Sequence, residues 1–208
     1  FMKVAGKVAL ITGANRGIGK AIVEAFVGEG ASKVYLAVRD ITTAQPLVER
    51  YGSTVVPIEV DLSQPATISL AAERATDVEV VVNNAGVLRR SAPLDEDAIE
   101  DLTYEIDINV FGLMRLAQVF APVLKANGGG AFIQLNSIAS MQTFTAASTY
   151  AASKAAAYSM TQALRLQLGQ QGTRVISVHP GPIATDMGAA AGIMDIAEPA
   201  SVVSQCII

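Results

Sequence analysis

Short apolar runs alternate along this chain with segments whose apolar residues recur at helical spacing. The runs have the length of buried strands, and the periodic segments between them have the length of ordinary helices. This alternation predicts an α/β domain whose mostly parallel sheet is covered by helices on both faces. The predicted strands are 8–12, 33–38, 54–60, 78–83, 131–136 and 174–179, and the predicted helices are 17–29, 42–51, 64–75, 95–125 and 148–170.

The chain shows no internal repeat and no low-complexity segment, so residues 1–208 are expected to form one domain. Apolar residues make up 51% of the sequence, which is enough for a substantial core. Ligands of parallel α/β folds bind beyond the carboxyl ends of the strands. We therefore expect a functional site among the residues that follow the predicted strands.

A glycine-rich stretch joins the first predicted strand to the first predicted helix, and reads TGANRGIG at positions 12–19. Glycines let the backbone approach a ligand closely, and the N-terminus of the following helix directs free N–H groups and partial positive charge toward it. The strand–turn–helix setting therefore indicates a loop that binds the phosphates of a dinucleotide.

Two titratable side chains, Tyr150 and Lys154, lie four residues apart in an alanine-rich helical segment. This spacing places both on one face of a helix. A phenol with a pKa of about 10 is a weak acid–base catalyst at neutral pH, and an adjacent ammonium favours the phenolate. A packed ring beside a solvated amine is the alternative interpretation, and the pair by itself does not decide between the two.

Six motifs, which follow one another in the family's order between about residues 6 and 185, resemble those of the short-chain dehydrogenase/reductase family. The glycines are spaced G-x-x-x-G-x-G, and the other motifs are Asn83-Asn84-Ala85-Gly86, Asn109, Ser137, Tyr150-x-x-x-Lys154 and Pro180-Gly181. The resemblance implies a single doubly wound, Rossmann-like dinucleotide-binding and catalytic domain of the carbonyl reductase or alcohol dehydrogenase type. It also implies an enzyme that transfers a hydride between NADP(H) and a small carbonyl or alcohol substrate.

The resemblance assigns the catalytic roles to Asn109, Ser137, Tyr150 and Lys154. Tyr150 is the acid/base, Lys154 lowers its pKa and binds the ribose hydroxyls, and Ser137 orients the substrate oxygen, with Ser140 as the alternative. Asn109 holds a helix irregularity and a water chain that leads to the lysine.

The resemblance also assigns the residues that bind the cofactor. The stretch 83–86 braces the sheet and lines the adenine ribose, Asp61 meets the adenine amino group, and Ile183 and Thr185 bind the carboxamide. The implied cofactor-binding residues are Gly13, Asn15, Arg16, Gly17, Ile18, Gly19, Arg39, Asp61, Leu62, Asn83, Ala85, Gly86, Tyr150, Lys154, Pro180, Gly181, Ile183 and Thr185.

Charge at the end of the second predicted strand favours NADP over NAD. An NAD enzyme places an Asp or Glu there to hold the ribose diol, and that carboxylate repels a 2′-phosphate. Here the strand ends in Ala37 and Val38 and is followed by Arg39, while Arg16 adds a second cation in the glycine loop. Asp40 is close enough to leave NAD possible.

Composition excludes several other classes of function. Fifteen basic against nineteen acidic residues and a pI near 5.0 argue against a nucleic-acid binder. With one histidine, His179, neither a histidine triad nor a histidine-rich metal site is expected, and this residue is predicted to pack or to point into the cleft beside Pro180. The single cysteine, Cys206, suits a reducing cytoplasm, and neither a signal peptide nor a membrane span is expected.

Residues 186–200 are expected to form a mobile lid over the substrate. Family members usually continue to one more strand, so the final strand of the sheet is expected to be missing. A dimer is expected, with a tetramer possible, because the two longest predicted helices carry small and apolar residues taken as outward-facing. These residues are Leu113, Ala117, Phe120, Ala156, Met160 and Ala163.

Two other functions remain open from the sequence. One is a catalytically weak NADP-binding sensor or scaffold, and the other is a ketoacyl reductase of fatty-acid or polyketide synthesis. Met141, Phe144 and Met187 indicate an apolar substrate pocket and nothing more specific.

Overall fold

A computed structural model describes residues 3–208 as a parallel six-stranded sheet. The strands are β1 Val8–Thr12, β2 Lys33–Val38, β3 Val55–Glu59, β4 Val80–Asn83, β5 Ala131–Leu135 and β6 Arg174–Val178. They lie in the order β3-β2-β1-β4-β5-β6, and every neighbouring pair is parallel. The chain therefore reverses its direction of winding between β1 and β4, where the carboxyl ends open into a crevice. The predicted doubly wound α/β fold is confirmed.

Helices cover both faces of this sheet. They are α1 Gly17–Gly28, α2 Gln45–Tyr51, α3 Pro65–Arg74, α4 Ala98–Ile106, α5 Gly112–Ala126, α6 Ser148–Gly169, α7 Asp186–Ala190 and α8 Ala200–Gln205. The single helix predicted over 95–125 is in fact α4 and α5 joined by one wide helical turn, Asp107–Phe111. Apolar periodicity continues through such a turn, so the sequence pattern did not separate the two helices.

Two apolar cores lie on opposite faces of the sheet. One contains Ile22 and Phe26 of α1, and the other contains Leu113 and Phe120 of α5. Each of these side chains is fully buried, which contributes about 1.5–3 kcal/mol apiece to folding. The sheet and the turns at its carboxyl edge are therefore held firmly from both sides.

The expectation that six small and apolar residues face outward is wrong for most of them. Leu113, Ala117 and Phe120 are buried against the sheet, and Ala156 and Met160 are packed against the same core. Only Ala163 is exposed. The cause is that α5 and α6 lie side by side over the sheet. The buried side chains are on the face of each helix that packs against the sheet.

The stretch Ala98–Ala126 is long and apolar enough to cross a membrane by length and composition alone, which is weak evidence for a span. It has a mean hydropathy of 1.3 over an 18-residue window, 39% of which is buried inside the protein. Leu116, Phe120 and Leu124 of this stretch pack in the core, which accounts for its apolar character.

Candidate active site

A large cleft of about 1130 Å³ opens at the carboxyl edge of the sheet. It runs from the loop between β1 and α1, past the ends of β2 to β6, to the segment 182–196. All of the cofactor-binding residues expected from the sequence line this cleft except Gly19 and Asn83. Thr43, Ser63 and Asp186 also line it, and no motif in the sequence indicated these three residues.

Gly19 supports the glycine loop from behind instead of lining the cleft. A Cβ on this residue would lie 2.6 Å from Asn84 Nδ2 and would collide with the carbonyl oxygen of Gly13. Gly13 and Gly17 have φ of +63° and +52°, a conformation that favours glycine. These three glycines therefore let the loop turn tightly over the sheet and present its backbone to a ligand.

Asn83 braces three strands below the cleft. Its Oδ1 accepts a hydrogen bond from Thr12 Oγ1 at 3.1 Å, and its Nδ2 donates to Gln134 Oε1 at 2.8 Å. Both interactions are buried, which excludes the residue from direct contact with a ligand. Asn84 adds a second link, since its Nδ2 donates to the carbonyl of Thr12 at 2.9 Å. The stretch 83–84 thus ties β4 to β1 and β5, and Asn84, Ala85 and Gly86 are the members that line the cleft.

Asn109 lies in the wide turn between α4 and α5 and clamps the backbone of the loop that follows β4. Its Oδ1 accepts from Val87 N at 2.9 Å, while its Nδ2 donates to Val87 O at 3.0 Å and to Ser153 Oγ at 2.9 Å. The side chain is buried and does not line the cleft. Its contacts connect the loop after β4 to α6.

Ser137 follows β5 at the wall of the cleft. Its Oγ accepts a hydrogen bond from Ala139 N at 3.1 Å, which leaves its own proton available to a partner in the cleft. Ser140 points away from the cleft, because its Oγ donates to the carbonyl of Ser137 at 2.6 Å. Of the two serines considered from the sequence, Ser137 is the one whose hydroxyl can meet a ligand.

Tyr150 lies on the first turns of α6, beside Ser137, and is mostly buried. Burial raises the pKa of its phenol to about 12. The hydrogen bond with the Ser137 side chain opposes this rise, and the negative charge of Glu105 adds to it. The phenol is therefore protonated throughout the neutral range.

Lys154 stands one turn further along α6 and is buried at the wall of the cleft. Burial lowers the pKa of its ammonium to about 8. Its Nζ donates to the carbonyl of Leu135 at 3.0 Å and lies 5.8 Å from the centre of the Tyr150 ring. Desolvation is the largest influence on the pKa of both groups, and the role of Lys154 in lowering the pKa of Tyr150 stays a prediction.

Two arginines line the far end of the cleft, and only one of them forms an ion pair in the described part of the chain. Arg16 pairs with Asp186 of α7 at 2.9 Å, whereas Arg39 has no ion pair within residues 3–208. The Asp40 carboxylate accepts hydrogen bonds from Thr42 N at 2.9 Å and from Thr42 Oγ1 at 2.7 Å. These bonds lower the pKa of Asp40 and cap the short helical turn 41–44. An exposed Arg39 is therefore the cation most open to an anionic group here.

The expected lid corresponds to α7 and the segment that follows it. Backbone hydrogen bonds from Ala184 N to Glu198 O at 2.8 Å and from Glu198 N to Pro182 O at 3.0 Å close the base of this segment. Thr185 caps α7 by accepting from Gly188 N at 3.1 Å. Ile183 and Thr185 line the cleft at this base, next to Pro180 and Gly181.

This fold and cleft define a class of protein, the dinucleotide-binding α/β oxidoreductases. A family model described as short chain dehydrogenase matches residues 7–194. The chain belongs to the short-chain dehydrogenase family, as its motifs indicated.

Individual relatives agree with this placement. The chain is 32% identical over 197 residues to oxidoreductase UcpA of Escherichia coli (strain K12), with 89% of this chain and 72% of that protein covered. It is 30% identical over 189 residues to the NADP-dependent 3-hydroxy acid dehydrogenase of Schizosaccharomyces pombe, with 87% and 73% covered. The crystal structure of a short-chain dehydrogenase from Burkholderia cenocepacia in complex with NADP superposes with a TM-score of 0.91 at 36% identity, and covers 98% of this chain and 83% of that one.

Proposed function

We propose that this protein is an NADP(H)-dependent oxidoreductase that interconverts a carbonyl and an alcohol. The observation that carries the proposal is the grouping of Ser137, Tyr150 and Lys154 at one wall of the cleft, with a protonated phenol beside a serine hydroxyl. When bound, the nicotinamide cofactor supplies or accepts the hydride. The protein supplies the proton and the orientation of the substrate.

Each of the three side chains has a role that follows from its surroundings. Tyr150 holds a proton at neutral pH and donates it to the carbonyl oxygen in the reductive direction. Ser137 has its proton available and hydrogen-bonds the same oxygen, which fixes the carbonyl beside the phenol. Lys154 contributes a buried positive charge close to the phenolate that forms when Tyr150 loses its proton.

The residues of the cleft fit a dinucleotide with a 2′-phosphate. The glycine loop leaves its backbone open at the start of α1, where phosphates bind. Arg39 offers a guanidinium without an ion pair in the described chain, and the neighbouring Asp40 is occupied in capping. The NADP-dependent relative and the NADP complex of the structural neighbour support the same choice of cofactor.

Replacing Arg39 with aspartate is expected to raise the KM for NADPH by roughly 100-fold, since a bidentate cation is exchanged for a like charge facing the phosphate. The KM for NADH is expected to stay equal or to fall. Initial rates with each cofactor at a fixed saturating substrate measure both effects. Arg74→Asp, the same change on α3 away from the cleft, is the control, and a wild-type enzyme that prefers NADH tenfold would contradict the assignment.

Apolar side chains line much of the substrate side of the cleft, together with Arg90 and Gln142. Leu88, Ile138, Phe144 and Met187 line it, and Ile138, Phe144 and Met187 are at least partly exposed. We therefore expect aldehydes, ketones or secondary alcohols with apolar substituents to be preferred. A panel of these compounds, followed by the absorbance of NADPH, tests the proposal. Absence of turnover across the panel, together with tight NADPH binding, would favour a sensor or scaffold.

We also propose that the chain self-associates as a dimer through the outer faces of α4, α5 and α6. Ile99 and Leu166 are 84% and 75% exposed there, and Phe111 and Met114 add further exposed apolar area. Exposed apolar area on neighbouring helices is typical of an interface. Two-fold packing would bury the same face of both copies.

Light scattering at micromolar concentration is expected to give a mass of two chains for the wild-type protein. Leu166→Glu should shift the mass toward one chain, because a carboxylate would be buried against the partner. Leu70→Glu makes the same change on the exposed side of α3 and should leave the mass unchanged. A wild-type mass of one chain would contradict the proposal, and a mass of four chains would point to a second interface.

A further inference from the structure

His179, the only histidine of the chain, sits just after β6 in a network that ends at Ser137. Its Nε2 lies 2.7 Å from Ser177 Oγ, and its Nδ1 lies 2.9 Å from Ser140 Oγ and 3.2 Å from the carbonyl oxygen of Ser137. The ring of Tyr158 packs against it edge-on, at 4.7 Å between centroids. The imidazole is thus held on both nitrogens and on one side, and it does not line the cleft.

The neighbours of His179 determine where its proton lies. Asn136 Nδ2 donates to Ser177 Oγ at 2.8 Å, so the hydroxyl proton of Ser177 is directed to Nε2 of the imidazole. On the other side, the hydroxyl of Ser140 donates to the carbonyl of Ser137, and its oxygen therefore accepts from Nδ1–H. An imidazole with its proton on Nδ1 gives a partner to both ring nitrogens and to the hydroxyls of Ser177 and Ser140.

The network converges on the main chain of the serine that faces the cleft. The carbonyl of Ser137 accepts from Ser140 N at 3.0 Å, from Ser140 Oγ at 2.6 Å and from Nδ1 of His179 at 3.2 Å. The next peptide is tied to the loop after β6, because Ile138 N donates to Pro180 O at 2.9 Å. The backbone of Ser137 is therefore fixed from the side opposite to its hydroxyl.

We infer that His179 is a positioning residue that fixes Ser137 for the substrate oxygen through Ser140 and the carbonyl of Ser137. This inference rests on the role of Ser137 in the proposed function. The side chain itself transfers no proton to the substrate, because a hydroxyl and a main-chain group separate it from the cleft. Misplacing a hydrogen-bond donor by a fraction of an ångström lowers the rate while leaving cofactor binding intact.

Three substitutions of His179 separate the two ends of the network. His179→Asn retains an amide donor near the position of Nδ1 and loses Ser177, whereas His179→Gln reaches Ser177 and loses the donor to Ser140. His179→Phe removes both. We expect kcat to fall roughly tenfold in the Phe and Gln variants and no more than about threefold in the Asn variant, with the Kd for NADPH unchanged in all three.

A double-mutant cycle with Ser137→Ala tests whether His179 acts through Ser137. If it does, His179→Phe costs roughly tenfold in the wild-type background and almost nothing in the Ser137→Ala background. An equal loss in both backgrounds would show a general structural effect and overturn the inference, as would an Asn variant no better than the Gln variant. If all His179 variants keep the wild-type kcat while Ser137→Ala is impaired, the inference about His179 is overturned and the proposed role of Ser137 is not. Full activity of Ser137→Ala would overturn the proposed role of Ser137 and this inference with it.

Discussion

Tyr150→Phe is expected to lower kcat by about 10²- to 10⁴-fold while the Kd for NADPH stays within about twofold, because only the proton donor is removed. The phenol is largely buried, so a phenyl ring of the same shape fills the site without leaving a cavity. Single-turnover reduction, together with fluorescence titration of NADPH, measures the two quantities separately.

The same assignment predicts how the reverse reaction depends on pH. Burial raises the pKa of Tyr150 to about 12, so the fraction of phenolate grows tenfold per pH unit throughout the neutral range. Alcohol oxidation needs that phenolate and should accelerate with pH, and carbonyl reduction should not. Tyr51→Phe on α2 is the matched control and should leave both directions unchanged. Retention of most activity in Tyr150→Phe would reject the mechanism.

The fold followed closely from the sequence because its strands are buried on both faces. Such strands appear as nearly continuous apolar runs, and all six were placed within about two residues of their ends. No apolar run by itself predicts the order of the strands in the sheet. The phosphate loop and the other motifs, however, require the carboxyl ends of the strands to share one edge. The cleft therefore formed where the sequence indicated.

What the sequence could not give are the properties that depend on burial and on distant contacts. An apolar residue such as Leu113 or Phe120 is compatible both with a face toward the sheet and with a face toward a partner. Only the packing of α5 decides which of these two faces it occupies. Arg16 and Asp186 form their ion pair across 170 residues, which no local pattern records. The pKa values of Tyr150 and Lys154 are shifted mainly by desolvation. The spacing of the two residues in the sequence does not predict how strongly either is desolvated.

The network around His179 is a further case of this kind. Ser137, Ser140, Ser177 and His179 come from two separate loops and strands, and each has an ordinary local role by itself. Their alignment arises because β5 and β6 are neighbours and end at the same height, with Leu135 paired to Val178. Strand register thus brings a serine motif and an isolated histidine into one hydrogen-bonded chain.

Lys154→Met is expected to abolish turnover and yet to stabilise the protein at pH 7. A pKa lowered from 10.5 to about 8 means that the folded state holds the proton less tightly than the unfolded state, a cost of roughly 3 kcal/mol when the group is charged. Methionine fills the same buried space without a charge, although it gives up the hydrogen bond to Leu135. We therefore expect the free energy of unfolding to rise by about 1–3 kcal/mol.

The dependence on pH distinguishes this cause from a packing effect. Because the folded pKa lies below the unfolded one, the cost of Lys154 is complete below about pH 8 and disappears as the pH rises toward 10.5. Denaturant unfolding of both proteins from pH 7 to 10 should show the advantage of Lys154→Met shrinking across that interval. Lys20→Met, on the exposed side of α1, should show no such trend. A methionine variant that is less stable than wild type at pH 7, or whose advantage does not change with pH, would show that the buried ammonium carries no penalty and that the cleft is not built around a destabilising charge.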